Sequence, residues 1–201
     1  MIPVEACEPF FEYVGKFMEF DSDTRELVAS NLTEVSFPAK HIILSEGTSC
    51  DKTHFIMSGT ARSYYTDFSG LTVTWAFHFN NSHSVIRNVF VTDFRAFLTG
   101  KPSSIAIETL SEVNALVFTR EAVKIFVQKS LQFEVWQRRL TEMAYVTMFE
   151  RAFTLLTMSA TERYKKLVDE DSHLLQMFPN YYIASYLGIA PQSLSRIRTQ
   201  H

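Results

Sequence analysis

The stretch HIILSEGTSCDKTHFIMSGTARSYYTDFSG, residues 41–70, decides the fold class of this chain. It holds three strand-like runs, HIIL, THFIM and ARSYYT, and a glycine follows each run within a few residues. Gly47, Gly59 and Gly70 are 12 and 11 residues apart. Short strands at regular spacing, separated by glycine turns, are typical of an antiparallel roll, sandwich or barrel.

The strand pattern continues well beyond this stretch. LTVTWAFHF and VIRNVFVTDF extend it, and IAIETL and NALVFT predict two later strands, so the β region covers residues 33–119. Between these sets, RAFLTGKPSS predicts a helical turn that Gly100 and Pro102 interrupt. The pattern therefore predicts one β module of many short strands.

Helical patterns lie on both sides of the β region. Residues 5–31 predict two short helices, and Thr119 can cap the helix REAVKIFVQKS. Ser130 can cap a much longer helix that runs to residue 158. Ser159 to Glu162 reads S-x-x-E, a capping box that begins another helix. Strands followed by separate helices predict an α+β protein.

The composition is that of a globular protein. The chain has 201 residues, 46% of them apolar and 20% charged, which excludes a disordered protein. The net charge of −3 argues against a surface that coats nucleic acid everywhere but allows a local basic patch. Cys7 and Cys50 have no metal-site spacing, and free thiols suit a reducing cytoplasm. With no signal-peptide pattern and no membrane span, we expect a cytoplasmic protein without membrane contact.

The closing segment YYIASYLGIAPQSLSRIRTQH, residues 181–201, contains no acidic residue. It reads as two short helices that are split at Gly188, with Pro191 in the first turn of the second, which is the pattern of a helix-turn-helix. Glutamine and arginine make bidentate contacts with base edges, and serine and threonine bond bases or phosphates. The predicted DNA-binding residues are Tyr181, Tyr182, Gln192, Ser193, Ser195, Arg196, Arg198 and Thr199.

The long helix predicts a dimer. About 28 residues span ~42 Å at 1.5 Å per residue, more than a small roll can cover. One alternative is that the whole helix is buried against its own domain. Two-fold dimers dominate soluble oligomers, which favours an exposed interface. The predicted interface residues are Phe133, Trp136, Leu140, Met143 and Thr147.

A roll, a long helix and a helix-turn-helix together resemble the cyclic-AMP receptor protein/fumarate–nitrate regulator (Crp/Fnr) family of bacterial transcription factors. The resemblance covers nearly the whole chain and is most specific in residues 41–70 and in IASYLGIAPQSLSRIR. It implies a cyclic-nucleotide-binding-like β-roll (a double-stranded β-helix, or jelly roll) over 1–129, a dimerisation helix over 130–158 and a DNA-binding domain over 159–201. Because the chain ends three residues after Arg198, we expect no full wing.

The resemblance also implies partners and a regulatory site. The family implies a cytoplasmic homodimer on two-fold symmetric double-stranded DNA, with RNA polymerase as a further partner and an effector in the roll. Cyclic-nucleotide-binding members carry Gly-Glu and later Arg-Ser or Arg-Thr, where this chain has Thr92-Asp93 and Ser103-Ser104. Without that arginine a cyclic phosphate loses its charge-assisted partner, so cyclic AMP is not the predicted effector. The effector stays unassigned, and no cofactor is predicted. The predicted effector-pocket residues are Tyr64, Trp75, Thr92, Asp93, Arg95, Ser103 and Ser104.

Two other functions stay open. A cupin-like metalloenzyme needs an H-x-H pair, but His78 and His83 are five residues apart and fall on opposite strand faces. In a haem-binding relative either histidine could be an axial ligand, whereas an iron–sulfur cluster would need more cysteines than Cys7 near the N-terminus. We therefore predict no metal site, no catalytic residue and no enzyme. A ligand-binding module that acts through protein partners is the second alternative.

Overall fold

The computed structural model describes residues 2–199. These residues form two compact units. One unit takes the chain up to Ser63 and then Phe77–Ala144, and the other takes Tyr64–Ala76 and the chain from Tyr145 onward. The division differs from the three segments expected at 1–129, 130–158 and 159–201, because residues 64–76 group with the C-terminal helices.

The chain begins with helices, as predicted. A 3₁₀ turn over Val4–Cys7 leads into α1 (Glu8–Gly15), and α2 covers Ser22–Asn31. The Asp21 side chain accepts a hydrogen bond from the Thr24 amide and so caps α2.

Within residues 2–199 the strands form two four-stranded sheets, in the orders β1-β8-β3-β6 and β2-β7-β4-β5. β8 pairs antiparallel with both β1 and β3, and β2 pairs antiparallel with β7. The antiparallel β module is thus confirmed. Its strands are β1 (Thr33–Phe37), β2 (Ile42–Leu44), β3 (Lys52–Ser58), β4 (Ala61–Thr66), β5 (Thr72–His78), β6 (Phe90–Val91), β7 (Ala106–Thr109) and β8 (Val113–Thr119).

One predicted strand is wrong. VIRNVFVTDF forms the helical turn α3 (Ile86–Val89), the two-residue strand β6 and the start of α4 (Phe94–Thr99). The Asn88 side chain closes the turn, since its Oδ1 accepts from the Val85 amide at 3.0 Å and its Nδ2 donates to the Phe77 carbonyl at 2.9 Å. A continuous apolar run does not distinguish a buried strand from a buried helical turn. The helical turn predicted in RAFLTGKPSS is confirmed, and Gly100 ends α4 in the left-handed region.

The turn between β3 and β4 depends on Gly59. Its φ is +87°, and a Cβ atom there would lie 1.9 Å from the Glu112 carbonyl oxygen. Only glycine allows both this backbone conformation and this close approach. The glycine spacing read from the sequence therefore marks a real constraint on the sheet.

Aromatic rings fill the core of the first unit. The Phe10 ring centroid lies 5.4 Å from that of Phe55, 5.0 Å from that of Phe118 and 5.3 Å from that of Trp136. α5 (Arg120–Lys129), capped by Thr119, and the first half of α6 (Leu131–Thr157) cover this cluster. A second, aliphatic cluster contains Ile56, Ala61, Val91, Ile107, Val113 and Ala115.

The predicted helix starts of the C-terminal region are confirmed. Ser130 Oγ accepts from the Phe133 amide at 3.1 Å at the start of α6. Ser159 and Glu162 form the capping box of α7 (Ala160–Glu170). α8 (Leu174–Met177), α9 (Asn180–Tyr186) and α10 (Pro191–Thr199) follow. In the described part of the chain, no helix combines the length and the apolar character that a membrane span needs.

Candidate functional site

α9 and α10 pack against each other through buried apolar side chains. Between them, Gly188 has a φ of +65°, and the Ile189 amide donates to the Ala184 carbonyl at 3.0 Å, so the chain reverses within three residues. Ile189 itself is half-buried. The fully buried members are Ile183, Ala184, Leu187, Leu194 and Ile197.

The opposite face of α10 is polar. The exposed residues of the predicted DNA-binding set are Gln192, Ser195, Arg196, Arg198, Thr199 and, at the start of α9, Tyr181, whereas Ser193 and Tyr182 are half-buried. Gln192 and Arg196 are four residues apart and therefore lie on the same face, one turn from each other. The structure thus brings most of the predicted set to one accessible helix surface.

The two arginines of α10 are held differently. Arg198 donates from Nη1 to Asn180 Oδ1 at 2.7 Å, which ties the end of α10 to the start of α9. The Arg196 side chain makes no hydrogen bond or ion pair within residues 2–199, so its guanidinium is available to a partner. No acidic residue follows Asp171 in the sequence. The polar face of α10 is therefore locally basic, although the whole chain carries a net charge of −3.

The carboxylate of Asp93, which was predicted to line an effector pocket, accepts hydrogen bonds from its own chain. The residue is 4% exposed, and Oδ1 accepts from the Ala96 amide at 3.0 Å, which caps α4. Oδ2 accepts from the Ser103 hydroxyl and the Ser104 amide, both at 3.0 Å. Burial opposes ionisation, but these donors hold the pKa of Asp93 below its usual value. Both carboxylate oxygens are thus already used to close residues 93–104 on themselves.

The other predicted pocket residues do not form one lining. Ser103 is buried, but Ser104 and Arg95 are exposed, and Arg95 donates to the Pro102 carbonyl at 2.7 Å. Thr92 is buried 3.3 Å from the Cys50 Sγ atom. Tyr64 and Trp75 belong to the second compact unit. The seven residues therefore do not surround a single space within the first unit.

The first unit does contain a cavity of about 250 Å³. Of the seven predicted pocket residues, Thr92 alone lines it. No sequence pattern indicates this cavity, because its walls come from five separate strands and the loops next to them. Its lining residues are Phe37, Ile43, Leu44, Ser49, Cys50, Asp51, Lys52, His54, Val91, Thr92 and Ile107.

The predicted dimer residues require a correction. Phe133, Trp136 and Leu140 are 1%, 3% and 7% exposed and belong to the aromatic core of their own unit, so a second molecule cannot reach them. Met143 and Thr147 are half-buried. The first half of α6 therefore packs its apolar face against its own unit, which is the alternative that the sequence left open for the whole helix.

The second half of α6 presents the apolar surface that the first half lacks. Tyr145, Phe149 and Phe153 are 69%, 58% and 53% exposed, and we call these three residues the aromatic ridge. Neighbouring rings are stacked, with centroids 6.4 Å and 6.0 Å apart. Val146 and Leu156 add exposed apolar surface beside them. The i, i+4 spacing of the three rings is the sequence signal that could have located this surface.

The histidines that a haem or metal site could use are in different surroundings. His78 is 2% exposed, and its Nε2 lies 3.2 Å from the Ser63 hydroxyl. Burial lowers the pKa of His78 to about 4, so the ring is neutral. His83 is exposed. Across residues 2–199, no three histidine, cysteine or acidic side chains converge as metal ligands would.

No protein-family model matches the chain, and no curated protein matches its sequence. Solved structures do match its fold. FixK2 from Bradyrhizobium japonicum is 18% identical, with a TM-score of 0.65 over 84% of this chain and 83% of that one. A cyclic nucleotide-binding domain from Methylobacillus flagellatus is 15% identical, with a TM-score of 0.64 over 78% of this chain and 86% of that one.

A third match is a protein from Eubacterium rectale that is described as a transcriptional regulator of the Crp/Fnr family. It is 14% identical, with a TM-score of 0.64 over 90% of this chain and 83% of that one. At these identities the likeness establishes the fold alone. The chain has the fold shared by Crp/Fnr regulators and cyclic nucleotide-binding domains, with antiparallel sheets and a long helix.

Proposed function

We propose that this chain is a homodimeric, sequence-specific DNA-binding transcriptional regulator of the Crp/Fnr type. In this proposal α9 and α10 form a helix-turn-helix, and α10 enters the major groove. The observation that carries it is the face of α10. Gln192, Ser195 and Arg196 are exposed on it, the opposite face is buried and apolar, and no acidic residue follows Asp171 in the sequence. Such a face can approach phosphates without repulsion and can bond base edges.

The aromatic ridge supports the dimer. Three stacked, exposed rings with Val146 and Leu156 beside them form a contiguous apolar patch, and such patches often mark protein–protein contacts. A second copy related by a two-fold axis would bury the same ridge on both molecules. Such a pair would present two α10 helices to successive major grooves, about 34–36 Å apart. We therefore move the proposed interface from Phe133, Trp136 and Leu140 to residues 145–156.

The first 129 residues are proposed as the sensor domain, 130–158 as the dimerisation helix and 159–201 as the DNA-binding domain. Cyclic AMP is not the proposed effector. Ser103 stands where a phosphate-binding arginine would be needed, and the Asp93 carboxylate already accepts hydrogen bonds from Ser103 and Ser104. RNA polymerase and a cytoplasmic location follow from the regulator proposal, and the protein is proposed not to be an enzyme.

The proposal is tested by selecting duplexes from a random pool and measuring affinity for the selected site by fluorescence anisotropy. We expect affinity to fall steeply with salt because bound phosphates release counterions. Arg196→Ala should weaken specific binding by ~1–3 kcal/mol and relax preference at one base pair. Arg138→Ala removes the same charge from an exposed site on α6 and is the matched control.

The result also separates the alternatives. A regulatory module that acts through protein partners would bind no selected duplex, and Arg196→Ala and Arg138→Ala would then behave alike. Equal losses from both arginine variants would indicate charge attraction without base recognition, and specific reading by α10 would be wrong.

A further inference from the structure

Arg151 is a buried cation that binds backbone carbonyl groups from distant parts of the second unit. The residue is 7% exposed. Its Nη2 donates to the Thr74 carbonyl at 2.8 Å and also to the Tyr186 carbonyl, and its Nε donates to the Trp75 carbonyl at 3.1 Å. The guanidinium carbon lies 3.8 Å from the centroid of the Tyr186 ring. One side chain thus holds together β5, α6 and the end of α9.

Ser185 makes a second connection between the same strand and α9. Its hydroxyl donates to the Thr72 carbonyl at 2.6 Å and accepts from the Thr74 amide at 2.9 Å. Ser185 and Thr74 are both buried. β5 is the outer strand of its sheet, and outer strands have backbone groups without a strand partner. Side chains of α6 and α9 supply those partners here.

The position of α10 depends on these bonds. Tyr186 is the last residue of α9, and Leu187 and Gly188 then lead directly to the turn before α10. A second arginine acts at the same place, since Arg163 donates to the Leu187 carbonyl at 2.8 Å and to the Met158 carbonyl at 2.6 Å. The two guanidinium groups bind the carbonyls of two successive residues at the C-terminal end of α9, and this restricts the direction in which α10 leaves.

We infer that Arg151 is a positioning residue that couples strand β5 to the α9–α10 pair. This inference rests on the proposed function, because the coupling is defined as an effect on duplex binding. β5 belongs to the proposed sensor segment. A displacement of Thr74 and Trp75 moves the carbonyl groups that accept from Arg151, and Arg151 in turn donates to the Tyr186 carbonyl. Coupling between two sites is reciprocal, so duplex binding by α10 stabilises the bonds at Thr74 to the same extent.

Lysine is the informative substitution because it keeps the charge. A lysine ammonium lacks the planar fork with which Arg151 reaches three carbonyl groups. We expect Arg151→Lys to lower duplex affinity about tenfold or more, within the usual range of coupling between sites. Dimerisation through the aromatic ridge should be unchanged. Arg138→Lys, on an exposed part of α6, is the matched control and should bind as the wild type does.

Hydrogen exchange at the Thr74 amide distinguishes coupling from a purely structural role of Arg151, because a purely structural role would not make this exchange depend on the duplex. In the wild type we expect the selected duplex to slow this exchange, and in Arg151→Lys the duplex should have no effect on it. Ser185→Ala removes the acceptor of the same amide with little change in volume, and it replaces Arg151→Lys if that variant does not fold. It should lower duplex affinity and abolish the response at Thr74.

The inference fails if the wild type binds the duplex while exchange at Thr74 stays the same. It also fails if folded Arg151→Lys or Ser185→Ala binds the duplex with wild-type affinity. Either result leaves the DNA-binding proposal intact, so the two failures are distinguishable. A wild-type protein that binds no duplex at all would overturn both the proposed function and the coupling.

Discussion

Replacing Phe149 by alanine tests whether the aromatic ridge is the dimer interface. Phe149 is the middle ring, stacked on Tyr145 at 6.4 Å and on Phe153 at 6.0 Å, and it is 58% exposed. Because so much of it is in solvent, its loss should leave the folded monomer nearly unchanged. A dimer that buries the ring would lose its contribution on both molecules.

The size of the effect follows from the exposed area. A phenylalanine buries roughly 200 Å² in full, so a 58% exposed residue leaves ~115 Å² to be covered. At ~25 cal/mol per Å² this area contributes ~3 kcal/mol per copy, and ~6 kcal/mol for a symmetric pair as an upper bound. Incomplete coverage reduces the sum, and we expect a loss of ~2–4 kcal/mol, or ~30-fold to 1,000-fold in the dimer dissociation constant.

Sedimentation across a dilution series measures the dissociation constant directly, and thermal unfolding of the monomer at low concentration checks the fold. Leu131→Ala is the matched control, since Leu131 is 74% exposed on the same helix but lies at its N-terminal end. A change of less than about threefold for Phe149→Ala would refute the assignment. So would an equal loss for Leu131→Ala, which would mean that any exposed apolar residue of α6 matters.

Three further predictions concern stability and are measured by urea unfolding. Gly59→Ala should lower the free energy of unfolding by about 3 kcal/mol or more, because a Cβ would collide with the Glu112 carbonyl. Gly70→Ala should lower it by only about 1–2 kcal/mol, because φ there is +82° but the space is open. Equal losses for the two variants would contradict the steric argument. Asp93→Ala should lower the free energy of unfolding by about 2–3 kcal/mol, because it removes the α4 cap and the acceptor for Ser103 and Ser104. An unchanged urea midpoint would show that these hydrogen bonds do not stabilise the fold. The pKa of His78 is 6.5 in the unfolded chain and about 4 in the folded protein, because burial disfavours the charged ring. The neutral ring therefore contributes fully to the free energy of unfolding above pH 6.5, and about 3 kcal/mol of it is lost as the pH falls to 4. His78→Gln should remove that part of the pH dependence, and a slope identical to the wild type between those pH values would contradict it.

Local signals predicted local structure well. Thr119, Ser130 and the Ser159–Glu162 pair predict the starts of α5, α6 and α7, and each of these side chains caps its helix. Gly59 likewise marks a turn that the structure confirms. Such signals work because the hydrogen bond or the dihedral angle involves residues three or four positions apart.

Residue type alone did not show which face of α6 is buried. Phe133 and Trp136 looked like partners for a second molecule, yet they are 1% and 3% exposed, while Phe149 on the same helix is 58% exposed. All three are large aromatic residues, and the helix is apolar on several sides. The distinction depends on whether α1 and the sheet reach that part of the helix, which is a property of the packed chain.

Apart from VIRNVFVTDF, the order of strands and helices can be predicted from the sequence, and so can the caps, the glycine turns and the acid-free polar face of α10. These depend on backbone geometry and on neighbours along the chain. The partners of two buried charged side chains are known only from the folded chain: Asp93 accepts hydrogen bonds from Ser103 and Ser104, and Arg151 donates to the carbonyls of Thr74 and Tyr186. Those partners are brought together by folding from distant segments, and a backbone carbonyl carries no mark in the sequence of the side chain that will bind it.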